Sequence, residues 1–191
     1  MPPDASATKA RTLAAALAEF ATHGLAGARV DRIAEAGQVN KRSIYVHFGN
    51  KEELFDIVVA RTLQELSEDV AFTADDLPGY AGRLFDHLGR RPEILRLSTW
   101  ANLERPAASQ GEAAAYRAKV DAMREAQERG LLPRGVDAVD LLAMLLALVT
   151  SWAGASSALH GLHHESPQSL ARLNTHRVAL VDGVRRLCDA P

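Results

Sequence analysis

The chain has 191 residues, 47% of them apolar, enough to bury the core of one medium domain or two small ones. The longest apolar run, Leu141–Val149, is too short to span a bilayer, the start MPPDASATKAR has no apolar signal segment, and the single cysteine, Cys188, excludes an internal disulfide, so a cytoplasmic protein without a membrane partner is expected. The net charge of −2 hides an asymmetry: residues 1–51 carry seven Lys/Arg against four acids, about +3, and the rest fifteen against twenty, about −5. A basic reading head on an acidic body has that distribution, and so does chance scatter over a solvated surface.

The pattern predicts an all-α chain. Val, Ile and Thr nowhere alternate over a strand length, while Ala, Leu, Arg and Glu dominate. Residues 8–23 place Leu13, Ala16, Leu17 and Phe20 on one helical face, and His23-Gly24-Leu25 reads as the stop. A short helix at 30–37 turns Val30, Ile33 and Ala34 inward. Gly37-Gln38-Val39 is the turn, and a helix at 41–48 turns Ile44 and Phe48 inward. Asn50 with Glu53 three residues on forms a capping-box pattern for a helix to about Ala71. Asp75 or Asp76 opens the next, to Gly89. Pro92 starts another to about Arg105, with Pro106 as its stop. Residues 111–129 read as a long polar helix closed by Gly130, and 137–160 as a strongly apolar segment. Ser166, with Pro167 at the first position, opens a last helix to about Cys188.

The stretch VDRIAEAGQVNKRSIYVHFGNKEELF, residues 30–55, carries the functional information. Two short helices that cross need a small residue at the crossing, a tight turn and an apolar plug. Ala34, Gly37 and Val39 supply them. The N-terminal end of the second helix then enters the major groove. Asn40 can cap that helix or contact a base or phosphate. Lys41 and Arg42 point outward at its start, and Arg42, able to bond guanine bidentately, is the better base reader. Ser43 suits either role. Tyr45 and His47 can reach phosphate oxygens, and Lys51 adds charge beside amides suited to phosphate. Alternatively, Tyr45 is a core aromatic with a surface hydroxyl, His47 an ordinary surface histidine, and Lys41-Arg42 a solvated face.

These residues resemble the DNA-binding domain of the tetracycline-repressor (TetR) family of transcriptional regulators. The matching pieces are EFATHG, GARVDRIAEAG and VNKRSIYVHFGNKEELF, within residues 8–55. The resemblance implies an N-terminal three-helix helix-turn-helix domain at 1–50. It also implies a helical dimerisation and ligand-binding domain at 51–191. The positions of Asn40, Lys41, Ser43, Tyr45, His47 and Lys51 are those that commonly contact DNA in the family, and Arg29 stands where a hydroxyl residue often meets phosphate. Three departures stand out. Arg29 removes that hydroxyl, Gly37-Gln38 replaces the usual Ala-Gly, and Arg42 occupies a position often Gly, which alters the operator read.

The resemblance further implies a repressor bound as a homodimer to a palindromic operator in double-stranded DNA and released by a small-molecule effector. Dimerisation falls to the helices near 137–160 and 166–188. Their apolar residues are Leu141, Leu142, Leu145, Leu146 and Val149, then Leu170, Leu173, Val178, Leu180, Val181, Val184 and Leu187. Such helices can equally bury each other within one chain. Phe85, His87, Leu88, Trp100, Tyr116, Met123 and Trp152 are candidate effector-lining residues, each also readable as plain core. The segment RPEILRLSTWANLER resembles a C-terminal variant of the family. An activator or a ligand-independent DNA binder is the alternative, and a helical enzyme using the head for interaction a more remote one. No cofactor and no metal site are expected. His160, His163, His164 and Glu165 read as a polar loop, and no phosphate-cradling glycine loop, nucleophile elbow or catalytic carboxylate pair appears, so no enzyme is expected.

Overall fold

The computed structural model describes residues 5–105, 107 and 110–189. Every regular element among them is helical. In chain order they are α1 (Ala5–Gly27), α2 (Val30–Gly37), α3 (Lys41–Phe48), α4 (Lys51–Asp69), α5 (Leu77–Arg90), α6 (Pro92–Glu104), α7 (Gln110–Glu128), α8 (Ala138–Thr150), α9 (Ser157–His160) and α10 (Leu170–Cys188). Pro106, the expected stop of α6, lies outside the described residues.

Two compact units form. The first runs up to Glu68 and takes in Arg91–Ala113. Its core unites Leu13, Ala16 and Phe20 of α1, Ile33 of α2, Ile44 and Phe48 of α3, Leu54, Phe55, Val58 and Val59 of α4, and Leu97 of α6. Phe20 and Phe55 meet edge to face, centroids 5.0 Å apart. The boundary expected at 50/51 therefore cuts through a packed core. Without Leu54, Phe55 and Val58 the three-helix head loses the lid on its apolar interior.

Gly24 breaks α1 with φ 67° and ψ −177°. Besides that backbone, a Cβ there would meet the Trp100 ring at 2.7 Å, so α6 packs where only glycine leaves room. The amides freed by the break are received by Glu104 of α6, whose carboxylate accepts from Leu25 and, at 3.3 Å, from Ala26.

The second unit comprises Asp69–Arg90 and the chain from Ala114 onward. Leu77, Tyr80 and Leu84 of α5, Met123 of α7, Leu141 and Leu145 of α8, and Val184 of α10 are buried in it. Arg177 Nε donates to both carboxylate oxygens of Asp86 at 2.8 and 2.9 Å, which ties α10 to α5.

Several element limits differ from the sequence reading. A 3-10 turn at Ala74–Asp76, capped by Thr73, precedes α5, so neither Asp75 nor Asp76 opens the helix itself. The apolar segment at 137–160 is two helices, α8 and the four-residue α9, rather than one. Ser169, not Ser166, caps the last helix by accepting from Arg172 N–H. Pro167 stays outside it because Trp152 Nε1 donates to the Pro167 carbonyl at 3.0 Å and holds it in the preceding loop.

Candidate nucleic-acid interface

The turn between α2 and α3 fixes how α3 is presented. Gly37 keeps a helical backbone and is buried against α1, where Arg11 Nε donates to its carbonyl at 3.3 Å. Gln38 takes the left-handed position, φ 52° and ψ 47°. Val39 N–H then reaches back to the Ala34 carbonyl at 3.0 Å, closing the helix end as a Schellman motif. The shifted glycine thus leaves the turn intact and transfers its unusual backbone to glutamine.

Asn40 is the N-cap of α3. Its Oδ1 accepts from Arg42 N–H at 2.8 Å, so this side chain serves the helix start. Ile44 and Phe48 are buried. Lys41, Arg42, Tyr45 and His47 are exposed, and Ser43 is half-buried. Tyr45, 45% exposed, is not a core aromatic. Lys41 Nζ lies 2.8 Å from Asp31 Oδ1 of α2, and its hydrogen bond to that carboxylate holds the lysine above, and Asp31 below, its ordinary pKa.

Arg29 precedes α2 in extended backbone with no side-chain cap. The missing hydroxyl is offset from α1: Glu19 Oε1 accepts from Arg29 N–H and from Arg32 Nε, both at 2.8 Å. Burial pushes the Glu19 carboxyl up, but the Arg32 and Arg29 hydrogen bonds outweigh it and hold the group below its ordinary value. A carboxylate at a helix N-terminus also suits the helix dipole. Lys51 Nζ folds back to the carbonyls of Ala26 and Ala28, 3.3 Å from each. Its charge therefore lies beside the α1–α2 link. The Asn50–Glu53 capping box forms in both directions at 2.8 Å and sets the entry into α4.

One feature of the head escaped sequence reasoning. Ser6, Thr8, Lys9 and Thr12 of α1 face Ser43, His47 and Phe48 of α3 across a groove of about 520 Å³. Lys9 Nζ stands 6.0 Å from the Phe48 ring centroid. The helical spacing of α1 announced its buried face but not which neighbour its first turns flank.

The candidate effector residues do not form one cluster. Trp100 belongs to the first unit, against Gly24. Phe85, His87, Leu88, Tyr116, Met123 and Trp152 belong to the second, where Met123 is fully buried and Tyr116 is 41% exposed. Phe85 lies 5.6 Å from the His176 ring, and Trp152 packs against His160, His176 and the Arg172 guanidinium. His87 is buried; its Nε2 has no hydrogen-bond partner among the described residues, and Asp69 Oδ2 is 3.8 Å away.

Among the described residues, no three His, Cys, Asp or Glu side chains converge as metal ligands. His160 Nε2 is instead 2.9 Å from the Trp152 carbonyl oxygen. Burial, with Asp189 beside it, pushes the Cys188 thiol up to about 11, far from thiolate reactivity at neutral pH. No described helix is long and apolar enough to cross a membrane.

A short helix anchored by one face, baring Lys, Arg, Tyr and His on the other and joined by a tight turn to the helix it crosses, defines a helix-turn-helix DNA-binding regulator. Residues 13–58 match the bacterial regulatory proteins of the tetR family, and residues 76–186 match the tetracyclin repressor-like C-terminal domain. The chain is 44% identical over 154 residues to the HTH-type transcriptional repressor SCO4008 of Streptomyces coelicolor, which covers 78% of this chain and 80% of that one. It is 28% identical over 106 residues to the HTH-type transcriptional repressor NicS of Pseudomonas putida, or 52% of this chain and 50% of that one. The crystal structure of SCO4942 from Streptomyces coelicolor, assigned as a transcriptional regulator, superimposes with a TM-score of 0.83 at 39% identity, over 96% of this chain and 99% of that one. The chain belongs to the TetR family, as a helix-turn-helix transcriptional repressor and not an enzyme.

Proposed function

We infer that the chain represses by occupying a palindromic operator as a homodimer, and that a small-molecule effector in the helical body releases it. The observation that carries the DNA part is the polarity of α3. Ile44 and Phe48 anchor it, while Lys41, Arg42, Tyr45 and His47 face outward. In this reading Arg42 reads guanine, and Ser43, Tyr45, His47, Lys51 and Arg29 position the head on phosphates. Lys9 joins them across the groove from His47. Lys41 exchanges Asp31 for phosphate, and Asn40 keeps α3 in register as its cap.

The dimer rests on apolar side chains that one chain leaves uncovered. Leu141, Leu142, Leu145, Val149, Leu180 and Val184 are buried within the chain, so they are not free to build an interface. Val139 and Met144 of α8 and Leu170 and Val178 of α10 are exposed, and these face a second copy. Effector binding is supported by His87 Nε2, a buried polar atom whose pairing a ligand would complete. The functional division remains a reading head near 1–50 and an effector-binding, dimerising body beyond it.

Arg42→Ala tests the assignment directly. Selection on random duplexes is expected to return a sequence with relaxed preference at one or two base positions, at about 1–3 kcal/mol of lost discrimination there. An unchanged preferred sequence would remove Arg42 as base reader.

A further inference from the structure

Val46 is 71% exposed on α3, among the described residues the most exposed of the large apolar side chains of the first unit apart from Leu103. A solitary exposed apolar residue is ordinary on a protein surface. Its position here is not ordinary. At about 100° per residue, the buried pair Ile44 and Phe48 marks one side of α3, and Val46 points away from their midpoint by about half a turn. It is therefore the outermost side chain of the helix. Arg42 stands four residues before it on the same face. Nothing in folding explains the choice: the side chain is uncovered, and a β-branched residue is a poorer helix former than Ala.

We propose that Val46 reads a thymine through its C5 methyl group, adding an apolar contact to the guanine contact of Arg42. The inference rests on the DNA-reading role of α3 given above. A helix that meets base edges with its outward face brings its outermost side chain deepest into the major groove. There the thymine methyl is the one apolar feature a base pair presents. Four residues of helix advance about 6 Å, so the thymine lies within about two base pairs of the guanine, at about 3.4 Å per step. Specificity then comes from two side chains of opposite character on one face.

The test uses the full chain, the Val46→Ala variant and the duplex selected from random sequence. Each thymine in turn is replaced by deoxyuridine, which keeps the pairing and removes only the methyl. One thymine per half-site, near the Arg42-dependent position, is expected to lose about three- to fivefold in affinity on replacement, the worth of one buried methyl. Val46→Ala is expected to bind the thymine and uracil duplexes alike, with its salt dependence unchanged. The proposal is overturned if every thymine can be replaced without loss, or if Val46→Ala shows the same loss as the parent. Failure to select any sequence is a different result: it removes the DNA-reading role of α3 and this contact with it.

Discussion

Gln38 holds a left-handed backbone, φ 52°, that costs a non-glycine residue roughly 1 kcal/mol, while Gly37 beside it spends its freedom in an ordinary helical turn. Both positions are suboptimal for the same reason, and the remedy is a swap. A Cβ on Gly37 would sit 3.5 Å from Ala15 Cβ and from the Arg11 carbonyl, which is ordinary contact. Gly37→Ala combined with Gln38→Gly is therefore expected to stabilise the head by about 1 kcal/mol, a Tm rise of roughly 4 °C by thermal unfolding. A fall in Tm would show that α1 cannot accept the methyl and that close approach, not chance, placed glycine there. The same scale separates the reading residues. Asn40 is committed to its cap and Lys51 rests on two carbonyls that it would leave for phosphate, whereas Arg42, Tyr45, Val46 and His47 are turned to solvent.

Between elements, one carboxylate ties α1 to the start of α2, while Arg11 ties α1 to its end. Glu19 accepts from the Arg29 amide and the Arg32 guanidinium, and these bonds hold its carboxyl below its ordinary pKa. A carboxyl whose folded pKa is lowered stabilises the fold above its unfolded value. That contribution is lost as pH falls through the folded value, so the head weakens as pH drops below the ordinary carboxylate range. Glu19→Gln is expected to cost roughly 1 kcal/mol at neutral pH, a value kept low by solvent screening, and to flatten the acid limb of the unfolding curve. An acid limb identical to the parent's would place the acid-sensitive groups elsewhere. At this scale the sequence was legible where signals are local. The Asn50–Glu53 box, the inward Ile44 and Phe48, and the Gly24 break all follow from residues a turn or less apart. It was not legible where distant chain decides. Ser166 and Ser169 both precede helix-compatible runs, and the choice falls to the hydrogen bond from Trp152 to Pro167. Nothing near Trp100 in sequence announces that Gly24 lies against its ring. Val46 carries no such local signal, because an exposed apolar residue looks in sequence like a core one. The Arg29 departure likewise hid its compensation, since Glu19 lies a helix away.

For the whole molecule, the segment to residue 51 carries about +3 and the rest about −5. Affinity for DNA is thus concentrated in the head and opposed by the body, which makes one head alone a weak binder and two heads on a two-fold axis an effective one. In the proposed dimer, the exposed Val139, Met144, Leu170 and Val178 would be the means of pairing them. Selection of the purified full chain on random duplexes, followed by footprinting of the enriched sequence over a range of salt, tests this most directly. The expected result is an inverted repeat protected in both half-sites, with affinity falling steeply as salt rises. Protection of a single half-site, or no enriched sequence even at low salt, would contradict it.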